Sequence, residues 1–328
     1  MNKTIIKYLL ISILIITALS SVLFIHYVYS PGPLENKTLV VIEKGSVHST
    51  SETLMYAGVV STHSHNFGGF KSIYFLFFSN QSLKAGEYEF EPGISVYNVL
   101  KKLTDGDVYY RQITIPEGLT TTEILDKITA EYGLFGDVPG DIDEGVLLPE
   151  TYSFTYGFER TKLIKEMYNK RYALLENLWQ DRLPGLPFKT KEEALILASI
   201  VEKETGINDE RGKVASVFVN RLHKGMPLQA DPTAAYAVTM GKTKLDRELT
   251  RKDLQIDSPY NTYKYPGLPP GPICNPGKAA IEAVFNPEQT DYLYFVADGN
   301  GGHNFAKTLA EHERNVRKYR IEKKNSKN

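Results

Sequence analysis

Hydrophobic positions along the chain follow two different patterns. From Tyr8 to Leu34 the chain has no Lys, Arg, Asp or Glu, and its apolar part reads YLLISILIITALSSVLFIHYVY. This run suffices for the roughly 20 apolar residues that a helix needs to cross a bilayer. Beyond it, apolar residues recur with helical or alternating spacing, which is typical of elements with one face in a core. We therefore expect one transmembrane helix, over residues 8–29, ahead of a globular part.

The charges around this run predict its orientation. Lys3 and Lys7 precede it, and the next Lys or Arg is Lys37. Positive charge on the amino-terminal side predicts that residues 1–7 are a cytoplasmic tail and that the rest lies outside the inner (cytoplasmic) membrane, after a single pass. A cleaved signal peptide is the alternative. We favour a retained anchor because a signal-peptide core is usually about 7–15 residues, and the one weak cleavage motif, Ala18-Leu19-Ser20, lies inside the run.

Short strand and helix patterns alternate over residues 30–130 and predict a small α+β module. Strands are expected at 37–43, 85–90 and 108–115. Ser95 and Gly106 bound one helix, and Thr120 with Glu123 forms a capping box for the next. A helix is also expected from residue 48 to about 58. For the apolar segment 73–78, periodicity does not decide between strand and helix.

From Thr190 to about Ile321 the pattern is mostly helical, and one of these helices carries a candidate acid. Thr190 and Glu193 predict its start, and Gly206 its end. Glu204 lies four residues after Ile200 on the apolar face, in the last turn. A carboxyl group at a buried helix edge loses hydration, which raises its pKa, as a general acid at neutral pH requires.

The alternative for Glu204 is an exposed carboxylate paired with a Lys or Arg near a helix end, which is common. On the same helix, Glu202 is expected well to the side of the apolar face and Lys203 opposite it. The loops that follow this helix favour a catalytic role for Glu204. Residues 226–233 and 258–263 combine amides, hydroxyls and aromatic rings, which suit sugar recognition, although rigid turns explain such loops equally well.

Composition narrows the classes of function. The chain has 328 residues and a formal net charge of -1, which predicts two or three domains and argues against a nucleic-acid partner. The single cysteine, Cys274, excludes a disulfide framework and a Cys-rich zinc site. His63 and His65 have no acidic residue or cysteine nearby to complete a metal site. We expect no metal and no cofactor.

Two features near the carboxyl end are open to more than one interpretation. His303 either helps to shape a cleft or is a hydrogen-bonded structural histidine. The glycine-rich segment 298–302 does not match a phosphate loop and is expected to be a turn from a strand to a helix.

Five stretches of this part are similar to one family. They are LLPETYSF (147–154), ILASIVEKETG (196–206), VASVFVNRLHKGMPLQADPT (214–233), SPYNTYKYPGLPPGPICNPG (258–277) and DYLYFVADGNGGHNFAKTLAEH (291–312). In content and order they resemble the YceG/MltG family, the membrane-anchored endolytic murein transglycosylases. The resemblance implies a LysM-like module over residues 30–130 and a mostly helical, lysozyme-like or YceG-like catalytic domain over 131–322. The composition of residues 323–328 predicts a basic tail.

The resemblance also assigns roles to residues. The second glutamate of the Glu-Lys-Glu-Thr motif, Glu204, occupies the catalytic position. The positions implied for substrate binding are Glu150, Thr205, Gln229, Asp231, Tyr260, Asn261 and Tyr263.

The implied reaction is cleavage of the β-1,4 bond between N-acetylmuramic acid and N-acetylglucosamine in peptidoglycan, without water, to leave a 1,6-anhydro end. The implied role is to terminate nascent glycan strands, alongside penicillin-binding synthases. Two alternatives stay open. One is a hydrolytic muramidase that pairs Glu204 with Asp231, since ordinary glycosidases use two carboxylates about 5–9.5 Å apart. The other is a non-catalytic cell-wall-binding protein.

Overall fold

The computed structural model describes residues 3–325. Part of each predicted tail therefore lies outside the described residues, namely residues 1–2 and 326–328. The chain divides into two units, the first made of residues up to 111 with 153–157, the second of 112–152 with the residues from 158 onward. The predicted domain bounds at 30, 130 and 322 stay a prediction.

The first unit contains the amino-terminal helix and a small α+β fold. Its elements are α1 (Lys3–Tyr29), β1 (Thr38–Ile42), α2 (Val47–Tyr56), α3 (Thr62–Asn66), α4 (Gly69–Phe77), β2 (Gly86–Phe90) and α5 (Val96–Asp105). Within the described residues, α1 is the one helix long and apolar enough to cross a membrane, over Ile5–Tyr29. The apolar segment whose periodicity was ambiguous forms α4, a helix.

The core of the first unit lies between a two-stranded sheet and its helices. β1 and β2 pair antiparallel, with Thr38 opposite Phe90. Alternate residues of β1, Val40 and Ile42, face inward and pack with apolar side chains of the helices. The predicted caps of α5 are confirmed: the Ser95 side chain accepts from the Asn98 amide, and Gly106 closes the helix at φ 76°, a conformation that favours glycine.

The second unit is mostly helical. Its elements are β3 (Tyr110–Thr114), α6 (Thr121–Ala130), β4 (Leu134–Phe135), β5 (Thr151–Thr155), β6 (Phe158–Glu159), α7 (Arg160–Gln180), α8 (Lys191–Glu204), α9 (Asn208–His223), α10 (Asp231–Thr239), a 3-10 turn (Asp253–Gln255), α11 (Lys278–Phe285), β7 (Tyr294–Ala297), β8 (His303–Ala306) and α12 (Leu309–Asn325). The unit boundary falls inside β3 and β5. The mixture of helix and strand agrees with the predicted α+β class.

Helix α8 is central to the core of the second unit. Its residues from Ala194 to Val201 are all buried, packed against α9 and α11. The capping box predicted at its start is only half formed: the Thr190 hydroxyl accepts from the Glu193 amide, but the Glu193 carboxylate accepts from the Lys189 amide. The capping box predicted for α6 is complete.

The end of α8 differs from the prediction. Thr205, not Gly206, is the C-cap, with an extended backbone at φ -143°. Its hydroxyl accepts a hydrogen bond from the Ile207 amide at 3.1 Å. The helix therefore ends in an extended connection that leads directly into α9, and no left-handed glycine is required.

The glycine-rich segment 298–302 also differs from the prediction. It joins β7 to β8, which pair antiparallel with Ala297 opposite His303. The Asp298 carboxylate organises the turn by accepting from the Asn300 and Gly302 amides at 2.7 and 3.0 Å. The segment is thus a hairpin turn between two strands.

Candidate active site

A cleft of about 260 Å³ opens beside the last turn of α8. It is lined by Glu204, Arg221, Leu228, Gln229, Asp231, Tyr263, Phe295 and His312. Glu204 comes from α8, Arg221 from α9, and Asp231 from the start of α10. Four of the eight predicted site residues, including the predicted catalytic glutamate, therefore meet in one cavity of the second unit.

Glu204 has the electrostatic surroundings of an acid that keeps its proton. Burial first, and then the negative charge of Asp231, raise the pKa of Glu204, Arg221 opposes both, and the resulting pKa is about 8. Within residues 3–325, no group donates a hydrogen bond that would stabilise the carboxylate. The Glu204 carboxyl group is consequently protonated at neutral pH and faces the cleft, where it can donate a proton.

Asp231 and Tyr263 form a hydrogen-bonded pair on the cleft wall. The Tyr263 hydroxyl donates to Asp231 Oδ1 at 2.6 Å. The pKa of Tyr263 is raised, first by burial and then by this bond and the charge of Asp231. Tyr263 thus stays a neutral donor that fixes the orientation of the Asp231 carboxylate.

Arg221 is a cleft residue that the sequence reasoning missed. It is buried, and its guanidinium donates to the carbonyl oxygens of Leu293 and Leu228 at 2.7 and 2.6 Å. Burial lowers its pKa. It ties α9 to two loops and supplies positive charge near Glu204. Arg221 lies three residues after Phe218, on the apolar side of α9. A charged residue at a core position is rarely buried without a specific partner, so this spacing could have indicated its role.

Gln229 adopts a left-handed backbone at φ 47°. Such a conformation is unfavourable for a residue other than glycine. Two hydrogen bonds from adjacent amides hold it: the Gln229 amide donates to the Thr262 carbonyl oxygen at 3.2 Å, and the Ala230 amide to the Thr262 hydroxyl at 3.1 Å. The two loops that the sequence suggested for sugar recognition are therefore tied together at the cleft.

His312 and Phe295 complete the lining of the cleft. The sequence did not predict either of them as a site residue. The His312 ring stacks on Tyr294 at 5.2 Å between centroids. Burial, followed by the positive charge of Arg221, lowers the pKa of His312, so its ring is neutral at pH 7. The available signal was that His312 is the last residue of the matching stretch 291–312.

The other four predicted site residues lie outside the lining of the cleft. Asn261 is fully buried and braces its own loop: its side-chain amide donates to the Leu254 and Ile256 carbonyl oxygens. The ring of Tyr260 packs against Tyr236.

Thr205 and Glu150 have structural contacts as well. Thr205 is buried as the C-cap of α8. Glu150 forms an ion pair with Lys170 at 3.1 Å, with both side chains well exposed. Neither side chain reaches the cleft lining.

His303 has the contacts of a structural histidine. Its Nδ1 is 2.7 Å from Glu210 Oε2, and its backbone amide donates to Glu210 Oε1. Across residues 3–325, no three His, Cys, Asp or Glu side chains are grouped to hold a metal ion.

A larger groove of about 690 Å³, between the segments 183–186 and 287–292, is chemically different. Its residue Asp291 is highly exposed and pairs with Lys307 at 2.9 Å, which lowers the pKa of Asp291. Such a carboxylate is ionised at neutral pH and cannot act as a general acid. The smaller cleft around Glu204 is therefore the candidate active site.

Known proteins show what the chain is similar to. The sequence profile of the YceG-like family matches residues 40–318. A protein of Bacillus subtilis named endolytic murein transglycosylase is 38% identical over 276 residues, which cover 74% of this chain and 75% of that protein. A protein of Streptococcus pneumoniae serotype 2 with the same name is 32% identical, over 85% of this chain but 57% of its own length.

A solved structure agrees with these sequence matches. The crystal structure of a yceG-like protein from Listeria monocytogenes superimposes with a TM-score of 0.55 and 34% identity, over 85% of this chain and 98% of that one. By the extent of the profile match and the identity to its relatives, this chain belongs to the YceG-like family.

Proposed function

We propose that the protein is an endolytic lytic transglycosylase of peptidoglycan. It cleaves the β-1,4 bond between N-acetylmuramic acid and N-acetylglucosamine within glycan strands. The observation that carries the proposal is Glu204, a carboxyl group whose pKa of about 8 keeps it protonated inside an open polar cleft. The relatives named endolytic murein transglycosylase support the same activity.

The first step of the proposed reaction uses Glu204 as the acid. Its proton passes to the glycosidic oxygen as the bond from that oxygen to C1 of the muramyl residue breaks. The leaving sugar departs with a free hydroxyl, and positive charge develops at C1. The N-acetyl oxygen of the substrate stabilises that charge, so the protein needs no carboxylate nucleophile.

In the second step, the Glu204 carboxylate takes the proton from the C6 hydroxyl of the same muramyl residue. The C6 oxygen forms a bond to C1 and closes the 1,6-anhydro ring. Glu204 regains its proton, and no water is consumed. One carboxyl group therefore serves as acid and then as base, and a raised pKa favours both roles near neutral pH.

The neighbours of Glu204 have supporting roles in this scheme. Asp231, oriented by Tyr263, raises the pKa of Glu204 and contributes negative charge near the developing cation. Arg221 limits that rise. The Gln229 side chain and the Phe295 ring line the same cleft and are suited to contact sugar hydroxyls and a pyranose face.

A hydrolytic muramidase is the second candidate, because Asp231 is a further carboxylate in the same cleft. In that reaction an activated water, not the C6 hydroxyl, reaches C1. The products differ: the anhydro end is lighter than a reducing end by one water.

The deciding experiment is mass analysis of the products formed from nascent peptidoglycan. We expect 1,6-anhydro ends with the wild-type protein and none with Glu204→Gln. Reducing ends would instead support the hydrolase, and intact cleavage by Glu204→Gln would remove Glu204 from the catalytic role. Failure of the folded wild-type protein to cleave any glycan would indicate a cell-wall-binding protein.

The remaining parts of the proposal concern location and role. Helix α1 anchors the protein in the cytoplasmic membrane with its amino terminus in the cytoplasm, supported by its length and by Lys3 and Lys7. Residues 30–130 form a LysM-like glycan-binding module, supported by the antiparallel pair β1 and β2 with helices packed on it. From this location, the enzyme terminates glycan elongation beside penicillin-binding synthases.

A further inference from the structure

Helix α4 in the first unit has one covered apolar face, and large apolar side chains outside that face are exposed. Phe70 and Ile73 are fully buried in the core of the unit. Phe75 and Leu76 are 63% and 62% exposed, and Phe67, just before the helix, is 78% exposed. Isolated exposed apolar residues are ordinary, but a cluster of large ones marks a contact surface. Phe77, seven residues after Phe70, lies on the covered side, where its ring packs against Tyr97 at 5.5 Å between centroids. We name Phe67, Phe75 and Leu76 the aromatic patch.

The segment that carries the aromatic patch packs against the last turn of α1. The Tyr27 hydroxyl donates to Ser64 Oγ in α3 at 2.7 Å. At the start of α4, a Cβ atom placed on Gly69 would lie 2.1 Å from the Tyr27 hydroxyl oxygen, so only glycine permits this approach. The neighbouring Val28 is buried in the same core. The aromatic patch is therefore fixed to the end of α1.

The length of α1 determines the depth of this contact. Its apolar part, Ile5–Tyr29, has 25 residues, which extend about 37 Å at a rise of about 1.5 Å per residue. The hydrocarbon core of a bilayer is about 30 Å thick. If α1 spans the bilayer, its last turn, with Tyr27, lies at the outer interface. Ser64 of α3 and the start of α4, which contact Tyr27, lie at that level too.

The charge of the segment suits the same place. Between Glu52 and Glu87 the chain has no Asp or Glu, whereas it contains Lys71 and Lys84. An acid-free, weakly basic segment meets zwitterionic or anionic lipid headgroups without charge repulsion. Short helices with an apolar face lie in this zone with that face about 5–10 Å deep.

We propose that the aromatic patch inserts into the outer interface of the bilayer and gives the first unit a second membrane contact beside α1. This inference rests on the proposed anchoring by α1. The partner is lipid, because the patch is attached to the anchor at the depth where lipid lies. The contact would hold the first unit in one orientation at the membrane surface.

The test uses the full chain in vesicles of phosphatidylcholine and phosphatidylglycerol, with a nitroxide label on one introduced cysteine. Cys274 is fully buried, so it leaves the introduced position as the site of labelling. The test position is Leu76→Cys. The matched control is Leu39→Cys, an exposed apolar position on β1 that points away from the core. Leu14→Cys, in the middle of α1, reports on the anchor.

The measurement compares relaxation of each label by oxygen, which concentrates in lipid, and by a water-soluble nickel chelate. At Leu76 we expect the oxygen-to-chelate ratio to be several times that at Leu39 and below that at Leu14. A Leu76 label reached freely by the chelate, or shielded from both reagents by another protein surface, overturns the inference. If the label at Leu14 is in lipid in that case, anchoring by α1 is supported and only the insertion of the aromatic patch is contradicted. Circular dichroism of each variant verifies folding.

Discussion

Two glutamates near the end of α8 have opposite surroundings. Glu202 has a side chain only 6% exposed, but it lies 3.5 Å from the Arg211 guanidinium and accepts from the Gly277 amide at 3.0 Å. Glu204, two residues on, faces the cleft with Asp231 as a like-charged neighbour and no hydrogen-bond donor among the described residues. The same residue type on the same helix thus has different chemistry at these two positions.

The difference shows what makes a buried carboxyl group useful as an acid. Burial raises the pKa of both glutamates. At Glu202 the Gly277 amide and Arg211 oppose that rise, whereas Glu117 adds to it. Glu202 is therefore suited to hold α8 against α9 and the start of α11, and Glu204 to retain a proton for transfer. Depth of burial and the neighbouring donors and charges together decide between a structural and a reactive group.

The largest expected effect separates the two glutamates by activity. We expect Glu204→Gln to reduce glycan cleavage by about 10²–10⁴-fold, the usual contribution of general acid–base catalysis. Glu202→Gln is the matched control and should keep the rate per folded molecule close to that of the wild type. The measurement is the initial rate of product release, normalised to folded protein. Equal losses of rate in both variants would contradict the proposal that Glu204 is catalytic and Glu202 structural.

We expect the free energy of unfolding to separate the two variants in the opposite order, with the larger loss in Glu202→Gln. Glu202→Gln leaves the buried Arg211 without one of its partners, and breaking a buried ion pair costs on the order of 3 kcal/mol. We expect the free energy of unfolding in urea to fall accordingly. A variant that loses little stability would mean that Glu117, also 3.5 Å from Arg211, suffices to balance its charge.

The pH dependence of unfolding should identify Glu204. The pKa of Glu204 is about 8 in the folded state, against an ordinary value of 4.5 for a glutamate, so the unfolded chain releases the proton first as pH rises. The contribution of Glu204 to stability is therefore full below about pH 4.5 and is lost as pH rises to about 8. Because the cleft is open to solvent, we expect a loss of about 2 kcal/mol.

Glu204→Gln, which cannot ionise, provides the control for that measurement. It should be more stable than the wild type at pH 8 and no more stable at pH 4.5, as measured by urea unfolding at both values. An identical pH dependence in the two proteins would contradict the raised pKa of Glu204.

A smaller effect is expected from removing the charge beside Glu204. Asp231→Asn should lower the pKa of Glu204, because Asp231 raises it. The alkaline limb of the pH–activity profile should then move to lower pH, with activity at pH 6 kept within about tenfold. Asp257→Asn, an exposed residue paired with Lys264, should leave the limb in place. A loss of about 10²–10⁴-fold would instead favour the muramidase, with Asp231 as its second catalytic group.

The smallest effect is expected at Glu150. Its ion pair with Lys170 is exposed, and such pairs contribute about 0–1 kcal/mol. Glu150→Gln should therefore change neither stability nor KM measurably. A clear rise in KM for glycan strands would restore Glu150 to the binding site implied by the family resemblance.

Local sequence rules predicted several elements well. The caps of α5 at Ser95 and Gly106 and the capping box of α6 were correct because each depends on residues only a few positions apart. The predicted end of α8 was wrong, because Thr205 is held by a hydrogen bond from Ile207, in the segment that leads into α9. The hairpin at 298–302 was also missed, because its second strand is short and has no strong alternation.

The candidate site was predictable where the helical period decided it. Spacing alone placed Glu204 on the apolar side of α8, and the family resemblance supplied Gln229, Asp231 and Tyr263. Neither predicted that Tyr260 and Asn261, beside Tyr263, support the loop from within. Adjacent residues point in different directions, and only the packed loop determines which side chain reaches the cleft.

By itself, the sequence determined the apolar helix, the α+β class, the YceG-like resemblance and the candidate acid, because these depend on composition, on short spacings and on long motifs. Only the tertiary structure decided that Arg221 and His312 join the cleft, that Glu202 is an ion-paired support and that Glu204 has no hydrogen-bond donor among the described residues. A pKa is set by every charge and dipole around a group. Those neighbours come from segments far apart in the chain, and folding alone brings them together.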